Sequence, residues 1–392
     1  MIRLSKTWVF LIAQVVLLLA MVGIVPARMY GLRPEASFPN LRPEPRSVGP
    51  LYDVPEMISD TELREVLERL VPRFAGAKPR TNHVDHALRF WGADAEFNDE
   101  GCLSGAAMRD LLLNHRRFAE SWGSSEKPLL VDSENGVVVR VEPSLSAASH
   151  VDHTIASLAE VGTPLDFPVT TPVGSTDYRA LIQASLRNFS LNQVEHEWSA
   201  LTYALMLQAT DKWMTREGQE ISFDRLAERS MRQVLQQGVC YGNHRLHELV
   251  VLLRVDDQEK ILSETMRSKI VSYLQAVSQL LARTQHPEGY WDGLWTGLGT
   301  QTPEQNLPDG ELSEKIIVTG HVLEWLALAP AEVQPSTEVK VRASRWLVNT
   351  ILEMSSEQIQ ANFPYLSHAG RALALWRGQT PAQVLRSGNT KP

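Results

Sequence analysis

Cys240, His244 and His247 put a thiol and two imidazoles within about two helical turns. If a helix begins at or just before Cys240, they share a sector of about 60° at about 100° per residue, opposite Leu246, Leu249, Val250 and Leu253. A thiolate with two imidazoles is a reasonable zinc set, short of one further protein ligand or a water. The bland alternative is a solvated helix face with Cys240 at its start. His321 and Glu324 are a second pair, three apart and hence on one helix face. Their stripe also carries Ile317 and Leu328, so both polar groups need partners or face a cavity as acid and base. Glu195, His196 and Glu197 precede Trp198. Read on a helix over 192–209, Glu197 borders the face that carries Trp198 and Glu195 points away from it. A carboxylate beside tryptophan suits a sugar cleft; helix-start carboxylates in a favourable dipole are the plainer reading.

His83-Val84-Asp85-His86 and His150-Val151-Asp152-His153 repeat one pattern. Asn82 and Ser149 stand just before them, with each aspartate three residues on, and helix capping is the expected role. The segment 284–311 is rich in Gly, Trp and Pro, and its Trp291, Asp292 and Trp295 are candidates for a pocket mouth. The chain has no glycine-rich phosphate loop, nucleophile elbow or zinc-protease motif. A net charge of −8, with no basic cluster interleaved with aromatics, argues against nucleic acid as a partner. Two cysteines, Cys102 and Cys240, permit at most one disulfide.

The elements that must position these groups are mainly helical. From Asp177 onward the spacing predicts helices near 177–188, 192–209, 222–236, 241–254, 262–284, 313–328, 337–353 and 358–376. Upstream, 59–70, 83–91, 105–121 and 150–161 also read as helices, with Ser59 and Glu62 forming a capping box. Asn135-Gly136 between 129–131 and 137–141 predicts a small β-hairpin. Helices 192–209 and 313–328 are apolar around most of their circumference, whereas 222–236 and 337–353 are amphipathic. An inner layer of the first kind inside an outer layer of the second is what an α/α barrel or solenoid requires.

Gln285-His286-Pro287-Glu288-Gly289-Tyr290-Trp291 resembles the glutamine–tryptophan repeat of the squalene and terpene cyclase class, whose α/α-toroid architecture prenyltransferases and several sugar-degrading enzymes share. The matching positions are Gln285, Gly289 and Trp291; Glu288 stands where the family usually has aspartate, and the motif occurs once over some ten residues. The resemblance implies a toroid fold and no reaction, because the family's aspartate-rich signature is missing. Asp256-Asp257 is the nearest approach to it.

Trp8 to Val25 is apolar except for Gln14 and follows Arg3 and Lys6. That length suits a membrane-spanning signal anchor better than a cleaved signal peptide, for which Val25-Pro26-Ala27 is the alternative cut. The expected organisation is an anchor over 1–27, a proline-rich spacer over 28–55, a helical region with a hairpin over 56–175, a toroid-like region over 176–385 and a disordered tail over 386–392. The globular part is expected outside the cytoplasm, held to the membrane through 8–25. Two functions stay open. One is an enzyme acting on a glycan or lipid-like substrate in a central cavity, with His321, Glu324 and Glu197 as catalytic candidates, Trp198, Trp291, Asp292 and Trp295 as substrate contacts, and zinc on Cys240, His244 and His247 as an optional cofactor. The other is a non-catalytic scaffold that binds a protein or small molecule at the membrane surface.

Overall fold

The computed structural model describes residues 10–19, 36–76, 78–209, 212–297 and 307–389. Helix α1 is described over 10–19 with exposed side chains. Among the described residues no helix is long and apolar enough to cross a membrane, and the rest of the stretch expected to span, 8–9 and 20–25, lies outside them.

Beyond residue 59 the chain is mainly helical. The elements are α2 (Asp60–Arg69), α3 (Thr81–Trp91), α4 (Gly105–Leu113), α5 (His115–Trp122), β1 (Leu130–Ser133), β2 (Gly136–Val139), α6 (His153–Glu160), β3 (Pro168–Thr170), β4 (Ser175–Asp177), α7 (Tyr178–Asn188) and α8 (Glu197–Met206). They continue with β5 (Trp213–Met214), β6 (Glu220–Ile221), α9 (Phe223–Arg232), α10 (Asn243–Gln258), α11 (Glu264–Thr284), α12 (Glu311–Leu328), α13 (Thr337–Glu353), α14 (Ser356–Ala361), α15 (Phe363–Leu375) and α16 (Pro381–Asn389). The capping box of Ser59 and Glu62 is present, and Ser104, Asn114, Ser222, Ser263 and Ser355 cap other helices. The expected hairpin pairs Leu130 with Val139 and Ser133 with Gly136, and two shorter antiparallel hairpins join it. The helix expected over 358–376 is broken at Asn362, where Pro364 opens α15 in a position that needs no donor. The tail expected to be disordered from 386 is helical as far as Asn389.

Packing follows the apolar faces. α3 lies against α6, α6 against α8, α8 against α10, α10 against α12, α12 against α15, and α15 returns to α3. These helices follow one another around a closed cycle of contacts, and it draws α3 and α6 from the N-terminal region into one body with the rest. Every residue of α8 is buried, as is every residue of α12 from Ile316 to Leu328. α2, α9, α11 and α13 bury only one face each. α12 comes close to α15 at Gly320, where a β-carbon would sit 3.1 Å from the Ala369 nitrogen.

Residues 36–55 are extended, as their prolines dictate, but they do not form a free spacer. They cross the C-terminal ends of the inner helices. Backbone N–H groups of Arg42, Arg46 and Val54 donate to the carbonyls of Met206, Leu205 and Trp376, and Leu165 donates to the carbonyl of Pro43. The Arg46 guanidinium donates to Ala204 and Leu207 at 2.7 and 2.6 Å, and the Tyr52 hydroxyl to Ala329 at 2.7 Å. The physical reason is simple: the last four carbonyls of a helix have no partner within it and carry negative partial charge. An extended segment that aims its N–H groups and the Arg46 guanidinium at these carbonyls satisfies both needs. This strap, invisible to helix periodicity, closes one end of the molecule.

Candidate functional site: a circle of imidazoles inside the helices

Each inner helix, or the turn before it, brings a polar side chain to the centre. His86 from α3 stacks on His153 from α6 with ring centres 4.5 Å apart. His153 and His150 are 6.0 Å apart, His150 and His244 are 5.5 Å, and His244 and His321 are 5.3 Å. His321 stacks on His368 at 3.7 Å, and His368 meets His86 at 5.4 Å, closing the circle. Thus six of the chain's eleven histidines converge. Trp198 from α8 lies edge-on to His153 and His244 at 4.5 and 4.8 Å. All but His150 are buried.

One turn toward the strap lies a layer of charge. Arg89 bonds Glu160 at 2.5 Å and Glu324 at 2.7 Å, and donates to His247 Nε2 at 3.1 Å. Arg371 bonds Glu324 and Glu160 at 2.5 and 3.0 Å. Two arginines thereby balance two glutamates, which is what makes burying four charges tolerable. The spacing explains the layering: His86/Arg89, His244/His247, His321/Glu324 and His368/Arg371 are each three apart, so one turn carries each pair from one layer to the next. A cleft of 420 Å³ beneath residues 45–50 of the strap reaches Arg89, Glu160 and Arg371.

The electrostatics follow from burial. Burial drives His321 and His86 well below the ordinary imidazole value, and the neighbouring imidazoles push the same way. Burial lowers His244 and His368 to about 4, against the opposing pull of Glu195 and Glu324 respectively. Burial raises Glu324 and Glu160, but the arginines outweigh it and hold both well below the usual carboxylate range. At neutral pH His86, His244, His321 and His368 are therefore uncharged, and Glu160 and Glu324 are ionised. His368 Nδ1 donates to Glu324 at 2.7 Å and His153 Nδ1 to Asp85 at 2.9 Å, two carboxylate–histidine pairs of the kind that orient an acid–base imidazole.

Several candidates are placed differently from their sequence reading. The ligand atoms of Cys240, His244 and His321 all lie within 4.8 Å of one another; His247 is outside this set, beside Arg89 and Glu160. The cause is local: α10 begins at Asn243, and Cys240 sits in a left-handed turn before it. Glu197 and Glu195 exchange roles. α8 begins at Glu197, which is ion-paired to Arg245 at 2.8 Å on the outer side. Glu195 precedes the helix and approaches His150 and His244 at 3.2 and 3.5 Å. Trp291 and Trp295 are buried, with their indole N–H groups donated to the Leu281 and Tyr241 carbonyls, and Asp292 pairs with His286 at 3.0 Å. These residues brace the loop, and of the expected substrate contacts Trp198 alone borders the imidazoles.

The paired His-Val-Asp-His segments do not cap. Arg80 precedes α3 and Asp152 precedes α6, neither with a side-chain cap. Asp85 instead accepts from His153 and from Thr154, and Asp152 from Ser185 and Ser199 at 2.6 and 2.5 Å. The residues missed as site members are His86, His150, His153, His368, Arg89, Arg371, Glu160 and Glu195; the recurring histidine-plus-three spacing was the signal for all of them but Glu160 and Glu195. Cys102 and Cys240 are not joined in a disulfide.

Comparison of the chain with protein-family models, with curated proteins and with solved structures gives no match.

Proposed function

We propose that the chain is an α/α-toroid enzyme that carries out acid–base chemistry at the centre of its ring, on a glycan or lipid-like substrate, with 8–25 holding it at the outer face of a membrane. The observation that carries this reading is the closed circle of six imidazoles in contact with oriented carboxylates. A fold gains nothing in stability from gathering imidazoles with unpartnered ring nitrogens in its interior, where apolar side chains pack at lower cost. His321 Nε2 and His153 Nε2 are buried without a hydrogen-bond partner. His368 is the acid–base group in this reading, Glu324 its positioning carboxylate, and His321 the ring stacked on it. The closed cycle of inner helices and the bracing role of Gln285, Gly289 and Trp291 support the toroid. The test is a panel of oligosaccharide and polyprenyl-type substrates offered to the purified full chain. H368Q is expected to lower turnover roughly 100-fold while its melting temperature stays near that of the parent. Activity unchanged in H368Q, H321Q and E324Q alike would sink the enzyme reading.

The second reading, a non-catalytic scaffold, is favoured by one observation: Arg89, Arg371, Glu160 and Glu324 are ion-paired with one another. It predicts that the same three variants keep full affinity for a membrane-surface partner.

A further inference from the structure

Cys240 and the residue after it stand in a conformation that L-residues avoid. Their φ angles are +48° and +58°, and Gly242 follows at +83°. Left-handed backbone costs roughly 1–2 kcal/mol per non-glycine residue, and two in succession persist only where their surroundings enforce them. Asn243 donates to the Cys240 carbonyl at 2.9 Å, Trp325 donates to Asn243 at 3.3 Å, and Trp295 donates to the Tyr241 carbonyl at 3.1 Å. Gly242 is obligatory, because a β-carbon there would lie 2.3 Å from the Leu235 carbonyl oxygen. Two tryptophans, an asparagine and a glycine thus hold one turn whose result is to set a thiol beside two imidazoles.

The imidazoles are prepared for a ligand. His321 Nδ1 donates to the Ile317 carbonyl at 2.9 Å, which fixes the lone pair on Nε2. That Nε2 is buried, belongs to a residue only 4% exposed, and has no hydrogen-bond partner. His244 Nδ1 faces the Glu195 carboxylate at 3.5 Å, and neither that nitrogen nor Glu195 Oε1 is otherwise hydrogen-bonded. Backbone carbonyl on one histidine and carboxylate on the other are the two arrangements that orient metal-binding imidazoles from outside the coordination shell. With bonds of about 2.0–2.3 Å, the ligand atoms of a tetrahedral zinc stand roughly 3.3–3.8 Å apart. The atoms here lie within 4.8 Å of one another, so side-chain adjustment of about an ångström closes the set.

We propose that Cys240, His244 and His321 bind one divalent cation of the zinc class, with Glu195 as the carboxylate that orients His244. A thiolate with two imidazoles selects zinc or cobalt over magnesium and calcium, which require oxygen ligands. Three protein ligands leave the fourth position for water or substrate, the pattern of catalytic rather than structural zinc. The proposal does not depend on the acid–base reading, since metal content is measured without any substrate.

The test uses the full chain purified in detergent without chelator. Elemental analysis is expected to give about one zinc per chain, and cobalt exchange a thiolate-to-cobalt absorption band. C240S is expected to remove that band, and H321Q to weaken metal affinity by about 10-fold or more. H247Q, altering an imidazole outside the set, is expected to leave both unchanged. Circular dichroism of each variant separates lost binding from lost folding. The proposal is overturned if a natively folded chain holds under about a tenth of an equivalent after dialysis against zinc, if folded C240S keeps the cobalt band, or if H247Q loses as much metal as H321Q.

Discussion

Glu248 lies on α10 a single turn beyond His244, fully buried, with its neighbours set for a different purpose. Ser230 donates to it at 2.7 Å and His196 stands 3.7 Å away, but Glu197 is close by, and burial together with that second carboxylate raises Glu248 well above its ordinary 4.5. Arg229 and Arg245 oppose the rise without cancelling it. Below 4.5 both the folded and the unfolded chain carry this proton. Above it only the folded chain does, so stability falls as pH rises from there toward the folded-state value. Glutamine never titrates. E248Q is therefore expected to melt above the parent at pH 8 by on the order of 2 °C more than it does at pH 5. Calorimetry of both proteins at the two pH values checks this, and an equal difference at both would show that Glu248 is ionised in the folded chain. The same residue-scale logic shows what spacing could reveal. His321 and Glu324 were legible as a pair because three residues on a buried helix must share a face. His247 was grouped with Cys240 because no periodicity encodes a left-handed turn held by Trp295 and Trp325. Glu195 and Glu197 were interchanged because the helix read from 192 begins at Glu197, and those five residues decide which carboxylate faces inward.

At the scale of elements, the segment after α11 shows how a motif fixes helix ends. Gln285 donates to the Gly289 and Val339 carbonyls, each at 2.8 Å, and accepts from Arg342 at 2.5 Å. Gly289 has φ +110°, and a β-carbon there would lie 2.4 Å from the Arg342 carbonyl oxygen. The loop is thereby pinned against α13, while Trp291 reaches back to α11. Gly92 after α3 has a comparable φ of +89° but nothing within 4 Å of a β-carbon. The pair separates backbone strain from steric contact. G92A is expected to lose about 1 kcal/mol, strain alone, and G289A more than about 3 kcal/mol, strain plus collision. Urea unfolding of both variants decides it; equal losses would mean that α13 yields to the added methyl. Helices and this loop were readable in the chain because caps, periodicity and glycines act locally. The order in which helices meet was not, since it depends on contacts such as Gly320 with Ala369 that join distant segments.

For the whole molecule, the decisive element is the strap. A cycle of parallel inner helices gathers all their C-terminal carbonyls at one end, where unsatisfied acceptors and like partial charges would otherwise meet. Residues 36–55 answer that need along α8, α12 and α15 together, and Arg46, only 4% exposed, is its deepest point. Arg46 donates to two carbonyls at the end of α8, those of Ala204 and of Leu207 just after it, and pairs with Glu259 at 2.5 Å. Replacing it with methionine keeps much of the volume and removes every donor. R46M is expected to lose about 2–4 kcal/mol, and R46K to recover only part of that, because an ammonium cannot fork between two carbonyls and a carboxylate. Chain length gives the sharper test. A chain beginning at residue 36 should melt with the full chain, whereas one beginning at 56 should melt on the order of 10 °C lower and expose its inner helix ends to amide exchange. Equal melting of the two would mean that the strap merely rests on the helices. A drop confined to the shorter chain would make the proline-rich segment part of the fold, and the roof of the cleft that leads to Arg89 and Glu160.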